Sequence, residues 1–284
     1  MKYVWYKTGE KLLDELQKTD MKPRENSVEF WYIGQMGLIV KAGGIMICFD
    51  PVLNDLFYPD KTSRRNYPQP FEGGRLTGVD YVVCSHNHAD HMNLETLIPL
   101  HKANPKAKFI VPVPETHILT EGGIMPGCVI GGRNMEVIGL EEKARLTPIA
   151  SAHETYVTDE TGDHKYLGYM LEINGVRIYH AGDTVFTEQL VADVNLCGPI
   201  DIACLPINGT GGEFHNRGVI GNMDAKDAAY FALRIDADMT VPLHFDMVVK
   251  NEGSPLIFAY YMQKLAAGKK YHVMQLGERF VYCK

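Results

Sequence analysis

Ser85-His86-Asn87-His88-Ala89-Asp90-His91 places four metal-capable side chains within six positions. The stretch follows an apolar run, Asp80-Tyr81-Val82-Val83-Cys84, and precedes Asn93-Leu94-Glu95-Thr96-Leu97, which reads as a helix. One residue separates His86 from His88, so in an extended chain both point to the same side. Asp90 and His91 fall where the chain turns into the helix and face a second point nearby. H-x-H-x-D-H therefore suits a strand ending in a loop, and a pair of adjacent metal positions more naturally than a single one.

Working outward, Thr8 to Asp20 reads as an amphipathic helix with Leu12, Leu13 and Leu16 on one face and Thr8 as its N-cap. Val28–Ile33, Gly37–Lys41 and Ile45–Phe49 are short β-rich runs punctuated by glycine and by Asp50-Pro51, which predicts an antiparallel meander. Leu53 to Gly78 has no clear period and reads as a long loop, of the kind that forms lids or substrate walls. Further strands are expected at Tyr81–Ser85, Phe109–Val113, Met135–Ile138, Ala144–Ala152, Tyr166–Ile173, Val176–His180, Ile200–Ile207, Thr240–Leu243, Tyr271–Leu276 and Arg279–Tyr282. Helices are expected beyond the opening stretch, from Glu115, over Asp224–Arg234 and from Ser254 to Gly268. Gly122-Gly123, Pro126-Gly127 and Gly131-Gly132 read as turns, Asn174-Gly175 as a two-residue hairpin, and the residues after Thr184 as a polar connection. The order is two similar halves, strands first and helices later. It predicts an α+β chain folded as a four-layer αββα sandwich, one domain over 1–284 with 1–27 as an N-terminal helical extension.

At 45% hydrophobic and 22% charged residues, the 284-residue chain is long enough to bury a sizeable core. A formal charge of −7 and the lack of a Lys/Arg-rich run argue against a nucleic-acid partner. Six cysteines lie scattered with no C-x-x-C, which argues for a reducing compartment. Met1 to Lys11 contains no signal-peptide core and no run of 18 apolar residues occurs, so a cytoplasmic protein without a membrane span is expected. Oligomeric state, including a homo-oligomer, is left open.

His153, Asp183 and His244 each stand directly after an expected strand, as the opening stretch does. Strand ends on one edge of a sandwich converge although they are distant in sequence. With these residues in place the chain resembles the metallo-β-lactamase superfamily, through His86-x-His88-x-Asp90-His91, His153, Gly182-Asp183-Thr184 and His244. The resemblance implies that His86, His88 and His153 bind one metal, Asp90, His91 and His244 a second, and that Asp183 bridges them. Imidazole and carboxylate donors without thiolate suit Zn²⁺, Mn²⁺ or Fe²⁺, and the resemblance implies two ions, Mn²⁺ or Zn²⁺. Within the superfamily the details are most similar to the L-ascorbate-6-phosphate lactonase group. Phe30-Trp31-Tyr32-Ile33-Gly34 with Gly37, Tyr179-His180-Ala181-Gly182-Asp183-Thr184, Asp201-Ile202-Ala203, Asn222-Met223-Asp224-Ala225 and Val241-Pro242-Leu243-His244 carry that likeness.

The expected activity is hydrolysis of a small anionic lactone by a metal-bridging hydroxide, with Asp90 orienting the hydroxide and passing a proton to the leaving alkoxide. Asp50, His180, Thr184 and Asp246 are candidates to support the ligands from behind. Asn208, His215 and Arg217, in a glycine-rich loop after a strand, are candidates to hold the substrate. Two other readings stay open: a small-molecule phosphodiesterase or nuclease on the same site, and a di-iron redox or metal-binding protein.

Overall fold

The computed structural model describes residues 3–20, 22, 24–209 and 221–284. The first sheet takes in β1 (Ser27–Gly34), β2 (Gly37–Ala42), β3 (Ile45–Phe49), β4 (Tyr81–Val83), β5 (Lys108–Pro112) and β6 (Val129–Gly132). The second holds β7 (Ile138–Leu140), β8 (Ala144–Ala150), β9 (Leu167–Ile173), β10 (Val176–His180), β11 (Ile202–Pro206), β12 (Met239–Leu243) and β13 (Lys270–Tyr271). The last strand, β14 (Arg279–Cys283), returns to pair with β1, giving the orders 14-1-2-3-4-5-6 and 13-12-11-10-9-8-7. Counted from β14 in one sheet and from β7 in the other, both run through antiparallel steps first and parallel steps after.

All eight residues of β1 are buried, and its side chains divide with the two-residue period of a strand. Phe30 and Tyr32 join the core between the sheets, whereas Trp31 and Ile33 join a second core with Leu12, Leu13 and Leu16. Those leucines belong to α1 (Gly9–Lys18), which covers the outer face of the first sheet with α2 (Leu94–Ala103) and α3 (Thr116–Glu121). The second sheet is covered by α4 (Glu188–Leu196), α5 (Ala225–Arg234) and α6 (Pro255–Leu265), whose Val194, Ala228 and Phe258 are buried. Sheets buried on both faces between helices make the expected four-layer αββα sandwich.

The structure differs from the sequence reading at four places. Gly131-Gly132 does not turn but closes β6, where Gly131 leaves room for Val113. The strand expected at Met135–Ile138 is shifted to β7, because Met135, at φ 62°, lies in the turn before it. Tyr271–Leu276 pairs only at its start. Beyond it Glu278 folds back, accepting from His272 Nε2 and the Gln275 N–H, each at 2.7 Å, and Leu276 receives Tyr6 N–H at 2.9 Å. The polar connection after Thr184 contains α4, capped by Thr187 and buried through Leu190, Val191 and Val194. The Asn174-Gly175 hairpin forms as expected, with both residues at positive φ, 47° and 77°.

The senses of the strands bring the β1–β2 turn and the C-terminal ends of β3, β4, β8, β10, β11 and β12 to the same side of their sheets. The long loop after β3 lies against the residues that follow β12. Asn66 N–H donates to Met247 O at 2.8 Å, and Arg65 forms a bridge with Val248. Among the described residues no helix is long and apolar enough to cross a membrane.

Candidate metal centre

Ser85 ends the β4 ladder because its backbone N–H turns away to a side chain. It donates to Asp50 Oδ1 at 2.7 Å, so the strand stops at Val83 and the next residues coil over the sheet edge. His86, His88, His153 and Asp183 bring one ligand atom each to within 4.8 Å of one another. Asp90, His91 and His244 form a second such group. Asp183 reaches both, since its Oδ1 is 3.3 Å from His91 Nε2 and 3.3 Å from His244 Nε2. The division is the one expected from the seven-residue stretch, and all seven candidate ligands meet at one edge.

The second group has a regular geometry. Asp90 Oδ2 lies 3.7 Å from His91 Nε2 and 3.5 Å from His244 Nε2, closing a set with the two 3.3 Å contacts of Asp183. Four donors arranged tetrahedrally at ~2.0–2.1 Å from an ion stand about 3.3–3.4 Å apart. The buried atoms His86 Nε2, His91 Nε2 and Asp183 Oδ1 have no hydrogen-bond partner, a costly state unless an ion completes them. Residue type, spacing and unpartnered atoms fit a divalent metal.

Opposite charges also hold these residues together. Burial alone lowers the pKa of both His91 and His244, but the facing carboxylates outweigh it. Asp183, Asp90 and Asp50 carry His91 well above the usual histidine range, and Asp183 with Asp90 carries His244 up to about 9. Burial raises Asp183, and the opposing His244 and His91 charges take it well below the carboxylate range. His86 is lowered by burial and then by the His91 charge, which keeps it neutral. The second group is therefore charge-compensated, whereas His86 stands ready as a neutral donor.

Asp50, directly after β3, lies behind the candidate ligands. Its Oδ2 receives His91 Nδ1–H at 2.8 Å and Ser85 Oγ–H at 2.7 Å, which turns His91 Nε2 towards Asp183 and Asp90 as the nitrogen an ion would take in exchange for its proton. Ser85 Oγ also lies 3.0 Å from His86 Nδ1, so one hydroxyl serves both groups. His153 Nδ1 donates to Gly221 O at 3.1 Å, again freeing Nε2. Thr184 Oγ1 accepts the Ala152 N–H at 3.1 Å and steadies the chain just before His153.

His180 and Asp246 differ from expectation. His180 Nε2 donates to Met36 O at 2.8 Å and its ring stacks on Phe49, because its place inside β10 turns it towards the core. Asp246 accepts from Tyr32 Oη and Tyr67 Oη, both at 2.8 Å, and from Gln35 N–H at 3.2 Å; no candidate ligand histidine donates to it. Asn208 is occupied by two other asparagines, accepting from Asn222 Nδ2 at 3.0 Å and donating to Asn251 Oδ1 at 3.2 Å. His215 and Arg217 lie outside the described residues.

Sequence reading missed three residues. Ser85 was quoted as part of the stretch but given no role. Gln35 lies between two glycines of the β1–β2 turn and touches Asp90, a contact no local pattern announces. Tyr166 stands before β9 with its ring centroid 5.1 Å from that of His153 and 5.4 Å from that of His86, walling the first group.

A family model described as "Beta-lactamase superfamily domain" matches residues 46–245. The chain belongs to the metallo-β-lactamase superfamily. A metal-dependent hydrolase of Opitutus terrae is 28% identical over 262 residues, covering 87% of this chain and 96% of that protein. Another from Lysinibacillus sphaericus is 28% identical over 260 residues, covering 89% and 98%. Among solved structures, a metallo hydrolase from the archaeon Ignicoccus hospitalis superposes with a TM-score of 0.67 at 20% identity, covering 90% of this chain and 98% of that one. Each of these proteins is matched over nearly its whole length.

Proposed function

We propose that this superfamily member is a metal-dependent hydrolase that works with two divalent ions, Mn²⁺ or Zn²⁺, on a small anionic lactone such as L-ascorbate 6-phosphate. The observation that carries the hydrolase reading is the joining of two ligand groups through Asp183, with donors spaced for an ion and buried atoms otherwise unpartnered. His86, His88 and His153 would hold one ion and Asp90, His91 and His244 the other, with Asp183 shared. When bound, the ions supply Lewis acidity and hydroxide at neutral pH.

The chain's own residues do the rest. Asp50 and Ser85 orient the His91 and His86 rings, and Gly221 O orients His153. Asp90 is the least enclosed carboxylate of the centre, its side chain 13% exposed against 5% for Asp183. That exposure supports Asp90 as the group that orients the hydroxide and passes a proton to the leaving alkoxide. Tyr166 and His153 form the rim on which the substrate rests. The lactone rests on the resemblance of the β1, β10 and β12 segments to the lactonase group. The acidic balance of the chain favours a small substrate over a nucleic-acid one.

The test is metal analysis of the purified protein, followed by assay of ascorbate 6-phosphate, other lactones and a generic phosphodiester with Mn²⁺ or Zn²⁺. Lactone turnover that disappears on chelation and returns with the ion is the expected result. Turnover of the phosphodiester alone sinks the lactonase reading and leaves the two-ion hydrolase.

A further inference from the structure

Gln35 occupies an unusual backbone position. It is the first residue between Gly34 and Gly37, the paired ends of β1 and β2, and it adopts φ 59°. Two-residue hairpins that turn through positive φ at this point favour glycine, asparagine or aspartate, because a longer side chain there is strained by roughly 1–3 kcal/mol. A glutamine persists only where its surroundings over-determine it. Here they do: its N–H donates to Asp246 Oδ1 at 3.2 Å, and its carbonyl accepts His244 N–H at 2.9 Å. Asp246 is itself fixed by the hydroxyls of Tyr32 and Tyr67. Two tyrosines and a buried carboxylate therefore serve to hold one strained turn residue, itself 1% exposed.

What that turn delivers is the side-chain amide. Gln35 Nε2 lies 2.7 Å from Asp90 Oδ2 and 2.9 Å from His244 Nε2, two atoms that are themselves 3.5 Å apart. A carboxylate oxygen accepts only, so the amide presents N–H to Asp90, a charge-assisted bond of the stronger kind. Asp90 has a second reason to need it. It lies in a loop, partly exposed, and its other near neighbours are the ligand nitrogens themselves; no further donor to its carboxylate occurs among the described residues.

We propose that Gln35 is the positioning residue of the second group: its amide holds the Asp90 carboxylate facing His91 and His244, so that the group is assembled before an ion arrives. The assignment rests on the two-ion reading for its effect on metal binding, but not for its effect on Asp90. It also gives Asp246 its role. That carboxylate, which no site histidine touches, acts on the centre through the Gln35 backbone.

The experiment is stepwise Zn²⁺ binding, by competition with a chelator, to the wild-type protein, Gln35→Leu and Gln35→Asn, with crystal structures of the metal-free forms. Asn tolerates positive φ but its amide is one methylene too short to reach Asp90, so it serves where Gln35→Leu does not fold. Loss of an outer-shell partner weakens a metal site by about 10- to 100-fold. The expected result is that weakening in the second binding step, a first step within about twofold of wild type, and an Asp90 carboxylate turned away from His244. Two outcomes overturn the proposal: both steps unchanged with Asp90 still facing His244, or a Gln35→Glu variant that binds the second Zn²⁺ more tightly, which makes residue 35 a ligand. If the wild-type protein takes up a single Zn²⁺, the two-ion reading fails, and the Asp90 orientation in the metal-free variants alone decides the role of Gln35.

Discussion

Replacing Asp50 by Asn isolates the support behind the histidines. Asp50 is 1% exposed and accepts three bonds, from Ser85 N–H at 2.7 Å, Ser85 Oγ–H at 2.7 Å and His91 Nδ1–H at 2.8 Å. Burial pushes its carboxyl up, but the His91 charge overrides this and holds it below the usual range, so it is a carboxylate at neutral pH. An amide of the same shape keeps one acceptor for the Ser85 N–H and turns its NH₂ towards His91. Two donors then face each other, and the imidazolium relieves the conflict by losing its Nδ1 proton, which keeps the remaining proton on Nε2. That is the nitrogen lying 3.3 Å from Asp183 and 3.7 Å from Asp90, the one an ion needs. The loss expected for an outer-shell partner is about 10- to 100-fold in affinity, or about 1.4–2.7 kcal/mol. His86 meets Asp50 only through Ser85 Oγ, so the first ion changes far less. Chelator competition resolves the two steps, and nitrogen NMR of the imidazoles reports the tautomer. An Asp50→Asn protein that binds both ions within about threefold of wild type, with Nε2 of His91 unprotonated, refutes the reasoning.

Asp90→Ala is expected to lower turnover by about 100-fold or more while the first ion stays bound, the range of a lost general acid–base; near-normal turnover with both ions present removes the proton-transfer role. In the metal-free protein, the His244 pKa is raised in the fold, so its contribution of about 3 kcal/mol is complete below its unfolded value of 6.5 and disappears as pH rises through about 9. Asp183 is depressed, so its contribution is complete above 3.8 and disappears as pH falls. Thermal melts of chelated protein should therefore be most stable between about pH 4 and 6.5, and the stabilisation on adding Zn²⁺ should grow towards pH 9; a metal-free melt that rises from pH 7 to 9 contradicts the His244 assignment. Lys41, 1% exposed, donates from Nζ to Leu16 O and, at 2.8 Å, to Thr19 O, tying the end of α1 to the first sheet. Lys41→Met should cost about 1–3 kcal/mol in denaturant unfolding without altering Zn²⁺ affinity.

The local patterns of this chain are strong where the residue type dictates the backbone. Asn174-Gly175 turns because both positions take positive φ, Ser254 and Pro255 begin α6, and the alternation in β1 follows from burial on both faces. They are weak where a partner distant in sequence decides. The end of the strand near Tyr271 depends on Glu278 and the N-terminal segment, and α4 becomes readable only once the second sheet presents a surface for Leu190 and Val194.

The candidate centre divides along the same line. The sequence alone determined which His and Asp side chains stand at strand ends on the shared edge, and the resemblance to the superfamily made seven of them one candidate ligand set. That logic found His86, His88, Asp90, His91, His153, Asp183 and His244, and it placed Asp50 behind them. Only the tertiary structure decided what orients those ligands. Ser85 serves two histidines, Asp246 turns to Tyr32 and Tyr67 in place of a ligand, and Gln35 reaches Asp90 from a strained turn 55 positions away. Hydrogen bonds act over about 3 Å in space and have no period in sequence, so no spacing along the chain encodes them.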